Sequence, residues 1–434
     1  MKIPEFIRGN LLLKMTSLNA AVITIRLVIS AIVQRLLYDY VGPVGQYKIG
    51  QLRSLSQLLM SVSSLGTFSG IVKYVAEYKT DKEQLQKLFS TTFVFTIFGV
   101  LLSGILLLLF STEISNYLFA SEDFSYIIKL TAIVIPFVAI QRVFNGVING
   151  LSDYKKFAKI DLASYLFSIA LTIFFLFKFN LDGVLVAIAI TPVIQVLVLL
   201  FFFFRTLREY LHFKDLKLKS PMAKSLLAFT LMSIVSSILL PLVEIDIRSM
   251  LEEKMSGKDA GVWTNLTFIS KNYMVFSGSI FTLYVIPKFA GIYTSTNFKK
   301  ELVNIYKTIL PLFAVGMLLV FLCRNLIIDL LYPGLYEMAP LFKWQLLGDF
   351  IRLASLVLLN QFLAKKLVRN FIFSELFSLV VFYVLAQLLV TPFGLEGVVL
   401  AHLIRYILYF FLVAFLVFRY FKKQKEMTNS ETSE

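Results

Sequence analysis

Two stretches constrain this chain more than anything else in it. Ile97–Phe110 and Val193–Phe204 carry no charged residue. A helix that crosses a bilayer needs about 20 predominantly apolar residues, and these stretches are the centres of such segments. Composition agrees: 58% of the 434 residues are hydrophobic and the mean hydropathy is +0.79, against about 45–50% apolar residues in soluble domains. The chain reads as an all-α integral membrane protein. The N-terminus, MKIPEFIRGNLLLKM, has no short apolar core before a small-residue cleavage site, so it reads as mature chain. The single cysteine, Cys323, excludes an internal disulfide and a cysteine-rich metal site. The two histidines, His212 and His402, do not suggest a metal centre, and no cofactor is expected.

Hydropathy and Gly/Pro/charge punctuation predict twelve transmembrane helices, near 11–37, 47–72, 88–111, 125–149, 157–178, 183–204, 222–249, 261–287, 301–322, 338–363, 370–391 and 396–418. Alternate connections hold 25 Lys and Arg; the other set holds four, Lys178, Lys254, Lys258 and Arg324. Cytoplasmic connections are the basic ones, so both termini are predicted to be cytoplasmic. The net charge of +15 is then mostly a topological signal and not a nucleic-acid surface.

The chain also repeats itself. Residues 180–190 read NLDGVLVAIAI and residues 394–404 read GLEGVVLAHLI. Leu181, Asp182, Gly183, Val184 and Ala187 align with Leu395, Glu396, Gly397, Val398 and Ala401 at an offset of 214. The same offset places Asp161 on Glu375 and Ser164 on Ser378, while Gly45 and Gly261, and Lys73 and Lys288, match at 216 and 215. This predicts two six-helix lobes, 1–208 and 222–420, joined by a basic cytoplasmic linker, 209–221, and followed by a cytoplasmic tail, 421–434. Six is even, so the halves form a parallel repeat. Such duplications are typical of secondary transporters with a site between the halves.

Charge inside a bilayer costs at least about 2.5–3.5 kcal/mol, so its presence points to function. Arg26 lies mid-helix on a face with Asn19 and Ser30. Arg53 shares a face with Gln57, Ser61 and Ser64. At 1.5 Å per residue, Arg26 is about 22 Å from the cytoplasmic end and Arg53 about 9 Å from the periplasmic end, which puts them at similar depth. Lys271 shares a face with Thr264 and Gly278, Arg248 sits beside Glu244 and Asp246, and Arg142 lies with Asn145 and Asn149. Asp349 and Arg352 could pair within one helix; His402, Arg405 and Tyr409 form a stripe. Glu244, Asp246, Asp349 and Glu375 are the candidates for ion coupling or gating. Blander readings stand beside these. Arg35, Lys48, Lys129 and Lys343 are close enough to span ends to snorkel, and Asp161 and Glu375 fit a repeat-symmetric packing role. A cavity lined by guanidinium groups favours a phosphorylated or otherwise anionic cargo.

FSGIVKYVAEYKTD (68–81), GVWTNLTFISKNYM (261–274) and FKWQLLGDFIRLAS (342–355) resemble Wzx-type O-antigen flippases, nearest to the kind that moves lipid III of enterobacterial common antigen. These belong to the multidrug/oligosaccharidyl-lipid/polysaccharide exporter superfamily. The resemblance implies a V-shaped transporter that moves an undecaprenyl-pyrophosphate-linked oligosaccharide across the bacterial inner membrane by alternating access. It implies a place in O-antigen or lipopolysaccharide biosynthesis, with membrane lipids, a polysaccharide polymerase and a chain-length regulator as partners. The chain is expected to be a monomer. Basic residues resembling Arg26, Arg35 and Arg53 occur in the first two helices of that family. Rival readings are a lipid II flippase, for which fourteen helices are usual, and a multidrug antiporter, which favours carboxylates in the first lobe. A membrane polymerase or ligase would need a large periplasmic loop that this sequence lacks.

Overall fold

The computed structural model describes residues 11–152, 154–210, 217–233 and 237–431. Residues 211–216 of the predicted linker, with His212, lie outside the described residues, as do 1–10 and the last three of the tail. The described residues form helices and no strand. The α-helices of eight residues or more are, in chain order, α1 (Leu11–Val62), α2 (Phe68–Glu77), α3 (Lys82–Leu109), α4 (Ser111–Phe119), α5 (Ser125–Gly150), α6 (Tyr154–Tyr210), α7 (Ala223–Ser233), α8 (Leu239–Lys254), α9 (Gly257–Ile280), α10 (Ser295–Leu322), α11 (Arg324–Leu331), α12 (Phe342–Ala364) and α13 (Val368–Glu431).

Seven helical stretches are long and apolar enough to cross a membrane. Three of them are double. α1, α6 and α13 are each broken once, at Gly42 (φ 61°), Asn180 (φ 50°) and Gly394 (φ 57°), so each supplies two passes. α8 and α9, which carry Glu244, Asp246, Arg248 and Lys271, fall outside those seven stretches. The predicted second span, 47–72, is not continuous. Leu65 (φ 45°) and Gly66 (φ 65°) take left-handed conformations after Val62, and the chain restarts as α2.

The chain packs as two compact units: Tyr40–Gly261, here the first unit, and Met1–Asp39 with Val262–Glu434, the second. The predicted halves, 1–208 and 222–420, are a different division of the same chain. The duplicated sequence marks where the chain repeats; side-chain bonds mark where it packs. In the second unit, Gln34 Nε2 donates to Asn265 Oδ1 (3.4 Å) and Tyr38 stacks edge-on against Tyr332 (5.3 Å). In the first, Gln51 Nε2 donates to Ser249 Oγ (2.9 Å), which draws α8 to the second part of α1.

Caps and breaks follow from local chemistry. Asp81 Oδ1 accepts from the Gln84 amide (3.1 Å) to start α3, and Thr294 Oγ1 accepts from Asn297 (3.4 Å) to start α10, satisfying amides that a helix start leaves unpaired. The repeated phrase is a kink. Asn180 and Gly394, 214 apart, have nearly identical backbone angles (φ 50°, ψ −132° and φ 57°, ψ −138°). Three residues later, a Cβ on Gly183 would stand 2.2 Å from the Phe175 carbonyl oxygen. On Gly397 it would stand 2.0 Å from that of Leu389. Only glycine lets the chain fold back this closely. Burial is inverted relative to a soluble protein: Phe201 is 83% and Leu109 70% exposed, whereas Gln51, Asn265 and Asp349 are fully buried. Apolar side chains facing out and polar groups turned inward suit a bilayer solvent.

Candidate substrate-binding and coupling residues

In the first unit, Arg53 is half-buried on the second part of α1. Arg142, on α5, is also half-buried and lays its guanidinium over the Phe68 ring, 4.0 Å from the centroid. Arg248 is 3% exposed. Its Nη1 donates to Ser54 Oγ (3.0 Å) and the Glu244 carbonyl (3.3 Å), and its Nη2 to Glu244 Oε2 (3.5 Å). Tyr117 Oη donates to Asp246 Oδ1 (2.7 Å), and Ser249 Oγ donates to the Tyr117 carbonyl (2.8 Å). Arg248, Glu244 and Asp246 therefore lock α8 against α1 and α4. This is helix-packing chemistry.

In the second unit, Arg26 is half-buried on the first part of α1 and Lys271 is exposed on α9. Arg35 is spoken for: Nε pairs with Asp39 Oδ2 (2.7 Å), and Nη1 donates to the carbonyls of Asp329 (2.8 Å) and Leu330 (3.2 Å). Those carbonyls end α11, where a cation meets the negative pole of the helix. Asp349 is the hub of this unit. Its Oδ2 accepts from Ser270 Oγ (2.5 Å), Tyr273 Oη (2.5 Å) and Gln345 Nε2 (3.0 Å), and its Oδ1 lies 3.1 Å from His402 Nε2. Arg352, the partner expected from sequence, is more distant at 3.9 Å. Gln345 Nε2 also approaches His402 Nε2 (3.3 Å), so the amide, imidazole and carboxylate share one hydrogen-bond array. Ser270 and Tyr273 are not among the residues that the sequence singles out; no local pattern connects them to α12.

The stripe on α13 lies beside this hub. Tyr409 Oη donates to Glu375 Oε1 (2.5 Å), and Arg405 Nε donates to Ser378 Oγ (2.7 Å). Arg405 also lies over the Phe382 and Tyr406 rings, at 4.9 and 4.7 Å. The first unit's counterparts of Glu375 and Ser378, Asp161 and Ser164, border a cavity of about 40 Å³ with Gln141, Asn145 and Gln195. Outside the spans, burial pushes the Lys365 ammonium below the usual lysine range; it donates to the Ala290 carbonyl (2.8 Å) and lies over Tyr293 (3.6 Å). No cluster of three metal-ligating side chains occurs among the described residues.

A family model described as "Polysaccharide biosynthesis protein" matches residues 12–293. Lipid III flippases of Escherichia coli (strain K12) and Shigella flexneri are each 26% identical over 405 residues, covering 92% of this chain and 97% of theirs. Among solved structures, an inward-facing MATE family multidrug resistance transporter of the MOP superfamily aligns with a TM-score of 0.77 at 13% identity. It covers 92% of this chain and 96% of that one. The lipid II flippase MurJ in an inward closed conformation aligns with a TM-score of 0.73 at 16% identity, covering 92% and 87%. These structural likenesses establish the transporter fold, and the family match, which spans more than half of the chain, establishes that the protein belongs to the polysaccharide biosynthesis protein family.

Proposed function

We propose that this chain is a flippase, not an enzyme, that carries an undecaprenyl-pyrophosphate-linked oligosaccharide from the cytoplasmic to the periplasmic leaflet of the bacterial inner membrane. The observation that carries this reading is the similarity to lipid III flippases along 92% of the chain. The chemistry supports it. A pyrophosphate must exchange its hydration for cationic donors, and guanidinium groups match phosphate oxygens bidentately. Arg26 and Arg53 are half-buried, and we assign them to contact with the pyrophosphate; Lys271 and Arg142 supply further positive charge. Arg35 and Arg248 act as positioning residues, because their guanidinium groups already serve helix ends and packing. The first pass has arginine and no acid before Asp39, which disfavours a cation-exporting reading. Alternating access moves the head group while the polyprenyl tail stays in lipid. A polymerase and a chain-length regulator would consume the delivered product.

The direct test is reconstitution. In vesicles holding a fluorescent undecaprenyl-pyrophosphate oligosaccharide, a membrane-impermeant quencher should reach the inner-leaflet probe only when the protein is present. Quenching that stops at the outer-leaflet fraction would refute the reading, and export of a cationic dye without lipid movement would favour the antiporter. The proposed orientation, with both termini cytoplasmic, has its own check. In a Cys323→Ser background, Lys254→Cys should react with an impermeant thiol reagent in spheroplasts, and Lys82→Cys should not. The reverse pattern would invert the topology.

A further inference from the structure

The start of α10 and the end of α13 lie side by side in the second unit. Phe298 packs on Phe421, with ring centroids 4.8 Å apart, and Lys299 Nζ stands 5.6 Å from the centre of the Phe418 ring. Lys299 and Lys300 on α10 and Arg419, Lys422 and Lys423 on α13 bring five exposed cations to this contact. None of them forms an ion pair with a described carboxylate. Glu301, the acid next to Lys300, is turned to Lys288 (3.9 Å) and Tyr284 (3.3 Å) instead. The first unit handles comparable lysines differently: Lys73 pairs with Glu77 (3.9 Å) and Lys87 with Glu83 (2.6 Å). Orientation in a membrane requires only that Lys and Arg be numerous on one side. It does not require them to be kept clear of carboxylates.

The surface beside these cations states what fits them. On α10, Lys300 and Lys307 share a helical face with Val315, Leu318 and Leu322, all exposed. On α13, Arg419 and Lys422 share a face with exposed Phe411 and Phe415. Both helices belong to stretches long and apolar enough to cross a membrane, so each face runs from hydrocarbon to a cationic end. Long basic side chains at such a position reach the headgroup level, where basic clusters attract anionic lipid. A free phosphate or an acidic peptide would match the cations alone; a phospholipid matches the cations and the apolar faces together. We propose that this end of α10 and α13 binds an anionic phospholipid of the bilayer, its phosphate among the five cations and its acyl chains along the two faces. The site uses none of the residues assigned to the cargo and stands whatever the protein carries.

The test uses the purified full-length protein in detergent, with phosphatidylglycerol, phosphatidylcholine or inorganic phosphate added. A ligand that binds only the folded state raises Tm saturably. Phosphatidylglycerol near saturation should raise Tm by about 2–4 °C over phosphatidylcholine. The triple variant Lys300→Gln, Arg419→Gln, Lys422→Gln should lose that rise, while Lys73→Gln with Lys87→Gln in the first unit should keep it. Should the triple variant fail to fold, Lys300→Gln and Lys422→Gln singly provide the second test. Each should need roughly fivefold more phosphatidylglycerol for the half-maximal rise. Equal Tm in the two lipids would overturn the proposal, as would a rise that survives in the triple variant or is lost equally in the first-unit pair. A rise of the same size with inorganic phosphate would mean a free-anion site and would overturn the lipid assignment.

Discussion

The last two passes of each repeat, α6 and α13, share a backbone and differ in what they enclose. Both break at a positive-φ residue, Asn180 or Gly394, and both fold a glycine onto a carbonyl three residues later. In both, the acid after the kink accepts a hydrogen bond from an aromatic donor at the start of the preceding long helix: Tyr126 to Asp182 and Trp344 to Glu396. The interiors then diverge. α13 contributes His402, Arg405 and Tyr409 to a charged array around Asp349 and Glu375. α6 offers Thr191 and Gln195, with a neutral amide pair and a cavity. Duplication preserves the fold-determining backbone features, and side chains inside that scaffold are free to specialise. Both units bury compensated charge, but in different places: the second at Asp349 on α12, beside α13, and the first at the Arg248–Glu244 pair on α8, away from α6.

The sharpest way to break this comparison is to remove one carboxylate from each interior. Asp349→Ala leaves the donors of Ser270, Tyr273 and Gln345 without this acceptor, takes the carboxylate from beside His402 and should cost about 3–5 kcal/mol, seen as a large fall in Tm or loss of folded yield. Asp161→Ala removes a half-buried carboxylate at the edge of a cavity and should cost about 1 kcal/mol. Equal losses would mean that the two interiors do the same structural work.

A smaller effect sharpens the shared part. A non-glycine residue in a sparsely populated positive-φ conformation carries strain of order 1–3 kcal/mol. Asn180→Gly should therefore leave Tm unchanged or raise it, and Gly394→Asn should lower stability by about 1 kcal/mol. A fall in Tm for Asn180→Gly as large as that for Gly394→Asn would show that the Asn180 side chain, and not the backbone bend, is what the first repeat needs.

Much of the scaffold was legible in the sequence because it rests on periodic signals. Uncharged apolar runs locate the passes, and the phrase repeated at an offset of 214 locates the paired kinks. The polar interior was only half legible. Helical spacing places Asp349 and Arg352 on one face but does not say which helix that face meets. Asp349's shorter contacts include Tyr273 and His402, 76 and 53 residues away. Helical spacing groups Arg248 correctly with Glu244, yet its Ser54 partner lies 194 residues away. Arg35 was beyond reach for another reason: it donates to backbone carbonyls of α11, and a carbonyl has no sequence signature. The packing units were hidden likewise, because residues 34–38 join the second unit through such contacts.

The central claim is that Arg26 and Arg53 hold a pyrophosphate as it crosses. The measurement that tests it most directly is the vesicle flipping rate of Arg26→Ala and Arg53→Ala, each read beside its Tm. One charged hydrogen bond to phosphate is worth about 1.5–3 kcal/mol, so each variant should flip roughly tenfold to a hundredfold more slowly at an unchanged Tm. Lysine at either position should restore only part of the rate, because an ammonium cannot grip phosphate bidentately. Wild-type flipping by both well-folded alanine variants, or a loss of rate that only tracks a loss of Tm, would contradict the account.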